Sequence, residues 1–289
     1  MRCVVRGGRK GRLTNAMRGD QTPRSVWVPT ADARIHCEIH GDAPPGTPIV
    51  MIHGLGGNVR SWGGIPAALA RTRRVAVVDL RGCGRSERGS APITLPTLAD
   101  DVAAVIAHLG AGRCHLIGHS LGGVVAQDLL VRHGRSCGAA VLVSTSSKVG
   151  AQAAEGWRRL ADVVEQRGVV GEGGSARAFS DAFAAQHPEL VEEQGRISAS
   201  ADAKVYAAQA RAASSYDYSE ALTSVENPVL VMQGLADRMT SPGGSVLLSR
   251  AIPNSELELI EGVGHNLHVE MGERFVEVVL EFLTRHDAR

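Results

Sequence analysis

Gly118-His119-Ser120-Leu121-Gly122-Gly123 is the stretch on which the reading of this chain turns. An apolar run, Cys114-His115-Leu116-Ile117, precedes it, and a helical pattern from Val124 to His133 follows. A strand, a Gly-x-Ser-x-Gly turn and a helix are the setting of a nucleophile elbow, which holds a serine hydroxyl clear of a sheet on a sharp, strained turn. Side chains at the flanking positions would crowd such a turn, so it requires small residues there. In a chain with 34 glycines the pattern alone is weak; the strand before it and the helix after it carry the reading.

Outward from this turn, short apolar runs alternate with helical patterns. Strands are expected at 26–28, 33–39, 49–53, 75–79, 114–118, 139–143, 228–232 and 256–260. Runs such as Ile49-Val50-Met51-Ile52, Val75-Ala76-Val77-Val78 and Val229-Leu230-Val231-Met232 are nearly continuous in aliphatic residues. Strands buried on both faces of a helix-covered parallel sheet read this way. Helical patterns fall near 61–71, 95–109, 121–133, 243–251 and 270–285. The alternation predicts an α/β fold with a mostly parallel, doubly wound, eight-stranded sheet. The first two strands, with no helix between them, predict an antiparallel hairpin at its edge.

Between 148 and 226 no strand pattern occurs, and apolar residues recur at helical spacing. We read residues 25–147 and 227–289 as the core and 148–226 as an inserted helical cap. Six of the ten aromatic residues lie in this insertion, among them Trp157, Phe179, Phe183 and Tyr206. Bulky anchors for a small helical unit would account for them, and so would the roof of an apolar pocket. Trp62, Trp157, Phe179 and Phe183 are the candidate pocket residues.

A length of 289 residues and 44% hydrophobic content suit one large α/β domain. A net charge of +1 offers no field for nucleic acid or an anionic surface. Residues 1–24 carry seven basic side chains and read as a disordered tail, in which Met17 offers a second possible start. Residues 151–226 carry seven basic and twelve acidic side chains. The five cysteines include no Cys-x-x-Cys and read as reduced thiols, which fits a cytoplasmic setting. No apolar run is long enough to span a membrane, and the N-terminus lacks the apolar segment of a secretory signal.

A serine hydroxyl needs a base to take its proton, and the base needs an orienting carboxylate. His265 in Gly262-Val263-Gly264-His265 follows the last strand, where such sheets place chemistry; His268 is a weaker candidate. Asp237 in Gly234-Leu235-Ala236-Asp237-Arg238 follows the strand at 228–232. The other place for the acid, after 139–143, reads Ser144-Thr145-Ser146-Ser147 and holds no carboxylate. A developing oxyanion needs two N–H donors. Leu121 supplies one, and Leu55 in His53-Gly54-Leu55-Gly56-Gly57 is the candidate for the second, with His53 anchoring that loop. Asp79-Leu80-Arg81-Gly82-Cys83-Gly84-Arg85-Ser86 reads as a structural support beneath the site. No Gly-x-Gly-x-x-Gly and no Gly-Lys-Ser/Thr is present. No cofactor and no metal are expected.

In order and spacing, HGLGG, DLRGCGRS, GHSLGG, GLAD and GVGH resemble the α/β-hydrolase superfamily over roughly residues 26–285. Three further stretches are similar to the 3-oxoadipate enol-lactonase and carboxylesterase branch: Val141 to Ser146, Phe179 to Leu190 and Ala251 to Leu257. The resemblance implies a Ser120–Asp237–His265 triad and a soluble serine hydrolase acting on a small-molecule ester or lactone. Serine at 120 argues against the members of this fold that attack with aspartate. A carbon–carbon hydrolase or lyase using the same residues, and a non-catalytic receptor on the same fold, remain the alternatives. Substrate identity and oligomeric state are not readable from the chain.

Overall fold

The computed structural model describes residues 2–6, 22–42 and 46–287. Its strands are β1 (Arg2–Arg6), β2 (Arg24–Pro29), β3 (Arg34–His40), β4 (Ile49–Ile52), β5 (Val75–Val78), β6 (Cys114–His119), β7 (Cys137–Val143), β8 (Val229–Gly234) and β9 (Ser255–Ile260). They form one sheet in the order β1-β9-β8-β7-β6-β4-β5-β3-β2. Pairing is parallel from β1 through β5, while β3 runs antiparallel to both β5 and β2. All eight expected strands are present, and the hairpin at the edge is the β2–β3 pair.

The period of two along each strand sorts its side chains onto two apolar clusters. Val50, Ile52, Leu116, Ala140 and Leu142 face one way, with α2 (Leu95–His108), α3 (Leu121–His133) and α8 (Pro242–Ala251) over them. Ile49, Met51, Ile117, Val141 and Val143 face the other way, under α1 (Ile65–Leu69) and α10 (Glu273–Arg285). A sheet covered on both faces needs continuous apolar strands, which is why the runs are unbroken rather than alternating.

Two expectations need correction. The sheet has nine strands, because residues 2–6 of the expected disordered tail pair with β9 from Arg2 opposite Glu256 to Arg6 opposite Ile260. An edge strand needs one ladder of backbone bonds and little burial: Cys3 and Val5 are exposed and Val4 is only half-buried. The weak apolar content of Cys3-Val4-Val5 suffices for that. Residues 1 and 7–21, including Met17, lie outside the described residues. The helix expected at 270–285 is broken into α9 (Leu267–Met271) and α10 by Gly272, whose φ of 52° leaves helical geometry.

Between β7 and β8 the chain forms α4 (Ala151–Arg167), α5 (Asp181–Gln186), α6 (Pro188–Ala199) and α7 (Ala203–Ala212). Small residues let α4 and α7 approach closely, with Ala161, Ala207 and Ala210 buried between them. Among the described residues no helix is long and apolar enough to cross a membrane.

Candidate active site

Ser120 stands between the end of β6 and the first turn of α3 with φ 53° and ψ −116°, a conformation that side chains rarely adopt. The three glycines around it are enforced by contacts. A Cβ at Gly118 would strike the Gly122 carbonyl, and one at Gly122 would strike the Ile52 carbonyl. At Gly123 a Cβ would lie 2.7 Å from Thr145 Cγ2. These approaches clamp the start of α3 against the ends of β4 and β7. The Ser120 N–H donates to the Val143 carbonyl at 2.9 Å, fixing the turn to β7.

His265 and Asp237 come together from the loops after β9 and β8. His265 Nδ1 lies 2.9 Å from Asp237 Oδ2, and both residues are buried. Burial pushes the Asp237 carboxyl up, but the bond and charge of His265, the Thr240 N–H and the Gln233 amide outweigh it and hold the acid below its ordinary range. The aspartate is therefore ionised and accepts the Nδ1–H of His265. Asp237 Oδ1 accepts the N–H groups of Met239 and Thr240 at 2.7 and 2.9 Å, and Oδ2 accepts the Gln233 amide at 2.9 Å. The His265 carbonyl is held by the Ser144 hydroxyl at 2.8 Å and by His119 Nε2–H at 3.1 Å. Ser144 is itself in a positive-φ conformation, 51°, at the end of β7.

The loop after β4 is fixed by His53. Its Nδ1–H donates to the Gly54 carbonyl at 2.8 Å, and its Nε2 accepts the Leu80 N–H at 3.0 Å. Burial lowers the His53 pKa, so the ring stays neutral and keeps that tautomer. Among the described residues, the N–H groups of Leu55 and Leu121 donate to no backbone carbonyl outside helices and strands. Asp79 sits beneath, accepting the Val59 and Arg85 N–H groups and bonded to His36 Nδ1 at 2.7 Å. Arg81 pairs with Asp101 and Asp32. The DLRGCGRS stretch is thus tied up internally, as a support.

Ser120, His265 and the Gly54–Gly57 loop line one cavity of about 700 Å³, roofed by the insertion. Of the four candidate pocket residues only Trp157 lines it. Phe179 and Phe183 stack on each other, with ring centres 5.4 Å apart, and form a buried cluster with Ala178, against which the half-buried Leu190, Val191 and Val269 pack. They anchor the insertion. Trp62 is buried against His268, centres 4.8 Å apart, in a layer below His119. His268 donates Nε2–H to the Ser61 carbonyl at 3.2 Å, and burial pulls its pKa down to about 4. Burial and the neighbouring imidazoles also push His119 well below its ordinary value. Among the described residues no group of three or more His, Cys, Asp or Glu could hold a metal ion.

Several contributors escaped the sequence reading. Gln233 orients Asp237, and its only signal was a polar residue ending an apolar run. Ser144 and His119 position the backbone of His265, with no signal in the local pattern. Tyr206 lines the cavity, with its ring edge against Gly56, where an added Cβ would lie 2.7 Å from Tyr206 Cε2. Glu270 accepts the Ser180 hydroxyl at 2.6 Å and the Ser180 and Gly264 N–H groups at 2.9 Å. It joins the insertion to the residue preceding His265.

The family model described as the alpha/beta hydrolase fold matches residues 47–271. The chain is 28% identical over 238 residues to 3-oxoadipate enol-lactonase 2 of Acinetobacter baylyi, covering 81% of this chain and 88% of that protein. It is 28% identical over 267 residues to a putative carbamate hydrolase RutD of Rhizobium rhizogenes, covering 86% and 97%. A thermophilic esterase from Thermogutta terrifontis, solved with malate bound, superposes with a TM-score of 0.83 at 28% identity, covering 91% of this chain and 98% of that one.

Proposed function

The chain belongs to the α/β-hydrolase family, and on that premise we propose that it is a serine hydrolase cleaving a carboxylic ester or lactone through an acyl-enzyme on Ser120. The observation that carries the reading is the His265 Nδ1–Asp237 Oδ2 contact of 2.9 Å, in a cavity that Ser120 also lines. A receptor needs no oriented base. Asp237, fixed by three further donors, holds the proton on Nδ1 and leaves Nε2 free to act.

Ser120 Oγ attacks the carbonyl carbon while His265 Nε2 takes its proton. The carbonyl oxygen becomes an oxyanion held by the Leu55 and Leu121 N–H groups. Collapse breaks the acyl–oxygen bond, and imidazolium Nε2–H protonates the departing alkoxide. Water then gives its proton to Nε2 and attacks the acyl-enzyme, and collapse returns Ser120 and the free acid. Asp237 stabilises the imidazolium in both halves. Two relatives are named for an enol-lactone and a carbamate, and a similar structure is an esterase, so the acyl substrates of this family set the range to test.

A fluorophosphonate probe should label Ser120 in the native protein, and Ser120→Ala should lose both labelling and p-nitrophenyl ester turnover while remaining folded. A variant that keeps more than about a tenth of kcat refutes the assignment, because losing a triad nucleophile costs several orders of magnitude.

A further inference from the structure

The charges around the Ser120 cavity run against the composition of the segment that builds it. Residues 151–226 are acid-rich, twelve against seven, yet among the described residues no carboxylate lines the cavity. Among the described residues the charged side chains that line it, histidines aside, are Arg167, Arg177 and Arg238. Arg238 is occupied by Asp181 at 2.9 Å and the Phe179 carbonyl at 3.0 Å. Arg167 and Arg177 have no ion pair or hydrogen bond among the described residues, and both are exposed.

The wall formed by α4 is apolar. One face of α4 presents Ala153, Trp157, Leu160, Val164 and Arg167, spaced 4, 3, 4 and 3 residues apart, as a single stripe. Trp157 marks its reacting end, because Trp157 and Leu55 pack on the same alanine cluster. Arg167 lies ten residues further, about 15 Å at 1.5 Å per residue. Val163, Val169 and Met239 line the same cavity and are 41%, 63% and 41% exposed, so its outer part is an apolar surface open to water.

Building on the serine-hydrolase reading, we propose that the cavity takes amphiphilic acyl substrates: the apolar acyl chain lies along α4, and an anionic group at its far end meets Arg167. An extended chain advances about 1.2 Å per bond, so 15 Å corresponds to roughly twelve carbons. Each methylene laid on the stripe removes apolar surface from water, and Arg167 supplies the charge complement that a plain fatty chain leaves unused.

The test compares p-nitrophenyl esters of straight-chain acids from four to twelve carbons with the matching half-esters of dicarboxylic acids, at low salt. For the wild type, kcat/KM should climb two- to fourfold per methylene to about ten carbons, the ceiling set by ~0.8 kcal/mol per buried CH₂. At ten to twelve carbons the terminal carboxylate should be preferred over the methyl end by about 1.5- to fivefold, the range of one exposed ion pair. In Arg167→Glu that ratio should invert. A rate that is flat or falls beyond four carbons overturns the proposal, and so does a ratio that charge reversal leaves unmoved. In either case fluorophosphonate labelling of Ser120 in the same samples keeps the hydrolase reading standing; absence of labelling brings down both.

Discussion

Asp237→Asn separates the acid's electrostatic role from its shape. The oxygen of the new side-chain amide would stay in the nest formed by the Met239 and Thr240 N–H groups, which accepts only an oxygen. The amide NH₂ would then replace Oδ2, opposite His265 Nδ1 and the Gln233 amide. Gln233 cannot relieve the clash by turning over, because its carbonyl accepts the Ser245 hydroxyl at 2.7 Å and its amide donates to the Gly234 carbonyl at 2.9 Å. An NH₂ facing Nδ1 forces the proton onto Nε2, the atom that must receive the Ser120 proton. By the same tautomer effect in serine proteases, kcat should fall about 10³–10⁴-fold at neutral pH, or ~4–5.5 kcal/mol. The facing amides should cost about 1–3 kcal/mol of stability, small enough for the variant to fold. Stopped assays on a p-nitrophenyl ester, with circular dichroism as the folding control, measure both. A loss of kcat under tenfold in a folded variant would mean that another group orients His265, and the reasoning from the Asp237 contacts would fail.

Glu270→Ala should strip two buried N–H groups, on Ser180 and Gly264, of their acceptor; at about 1–3 kcal/mol each, Tm should drop by roughly 10 °C and kcat should fall as the His265 loop loosens. Glu270→Gln keeps an acceptor oxygen and should recover most of both, whereas equal losses in the two variants would argue against this role. Removing residues 1–6 should lower Tm by a few degrees and leave ester turnover intact, since the strand adds one ladder of half-exposed residues at the sheet edge; an unchanged Tm would show that β1 contributes nothing. His115 and His268 have pKa values pulled by burial to about 4, below the unfolded value near 6.5. Their stabilisation is complete above about pH 6.5 and is lost as pH falls toward 4, because the unfolded chain takes up protons that the fold refuses. The unfolding free energy from urea curves should decline by up to ~1.4 kcal/mol per pH unit for each histidine, and a flat profile between pH 6.5 and 4.5 would contradict their neutral burial.

The strands that were legible in the sequence are those buried on both faces, because burial leaves an unbroken aliphatic run. β1 escaped because an edge strand is specified by backbone pairing with β9, which a composition reading of Arg, Lys and Gly does not register. Asp237 could be placed because the loop after β7 has no carboxylate, so the loop after β8 was left as the one position able to orient His265. Gln233, Ser144 and His119 act across strands far apart in the chain, and nothing local announces that their polar atoms will converge. The insertion's aromatics were ambiguous for a different reason. Phe179 and Phe183 satisfy the same apolar requirement whether they wall a cavity or anchor a helix, and only the stacking of the two rings decides it.

The short segment from Ala176 to Asp181 has a bearing on how new specificities can be transplanted onto this scaffold. Its carbonyl at Ala178 takes the Asn266 N–H at 2.7 Å, Ser180 is bound by Glu270, and Asp181 and the Phe179 carbonyl are bound by Arg238. Those partners flank His265 and Asp237, so although this piece of chain lies within the insertion, it is wired into the frame that holds the proposed acid and base. α4, which lines the cavity, ends at Arg167, before any of these ties begin. A chimaera that exchanges residues 151–167 with a relative would therefore trade one substrate wall for another and keep the frame. A graft that runs on through 181 would import foreign partners for the acid and base loops, and it would have to bring the matching residues at 238, 264, 266 and 270 with it.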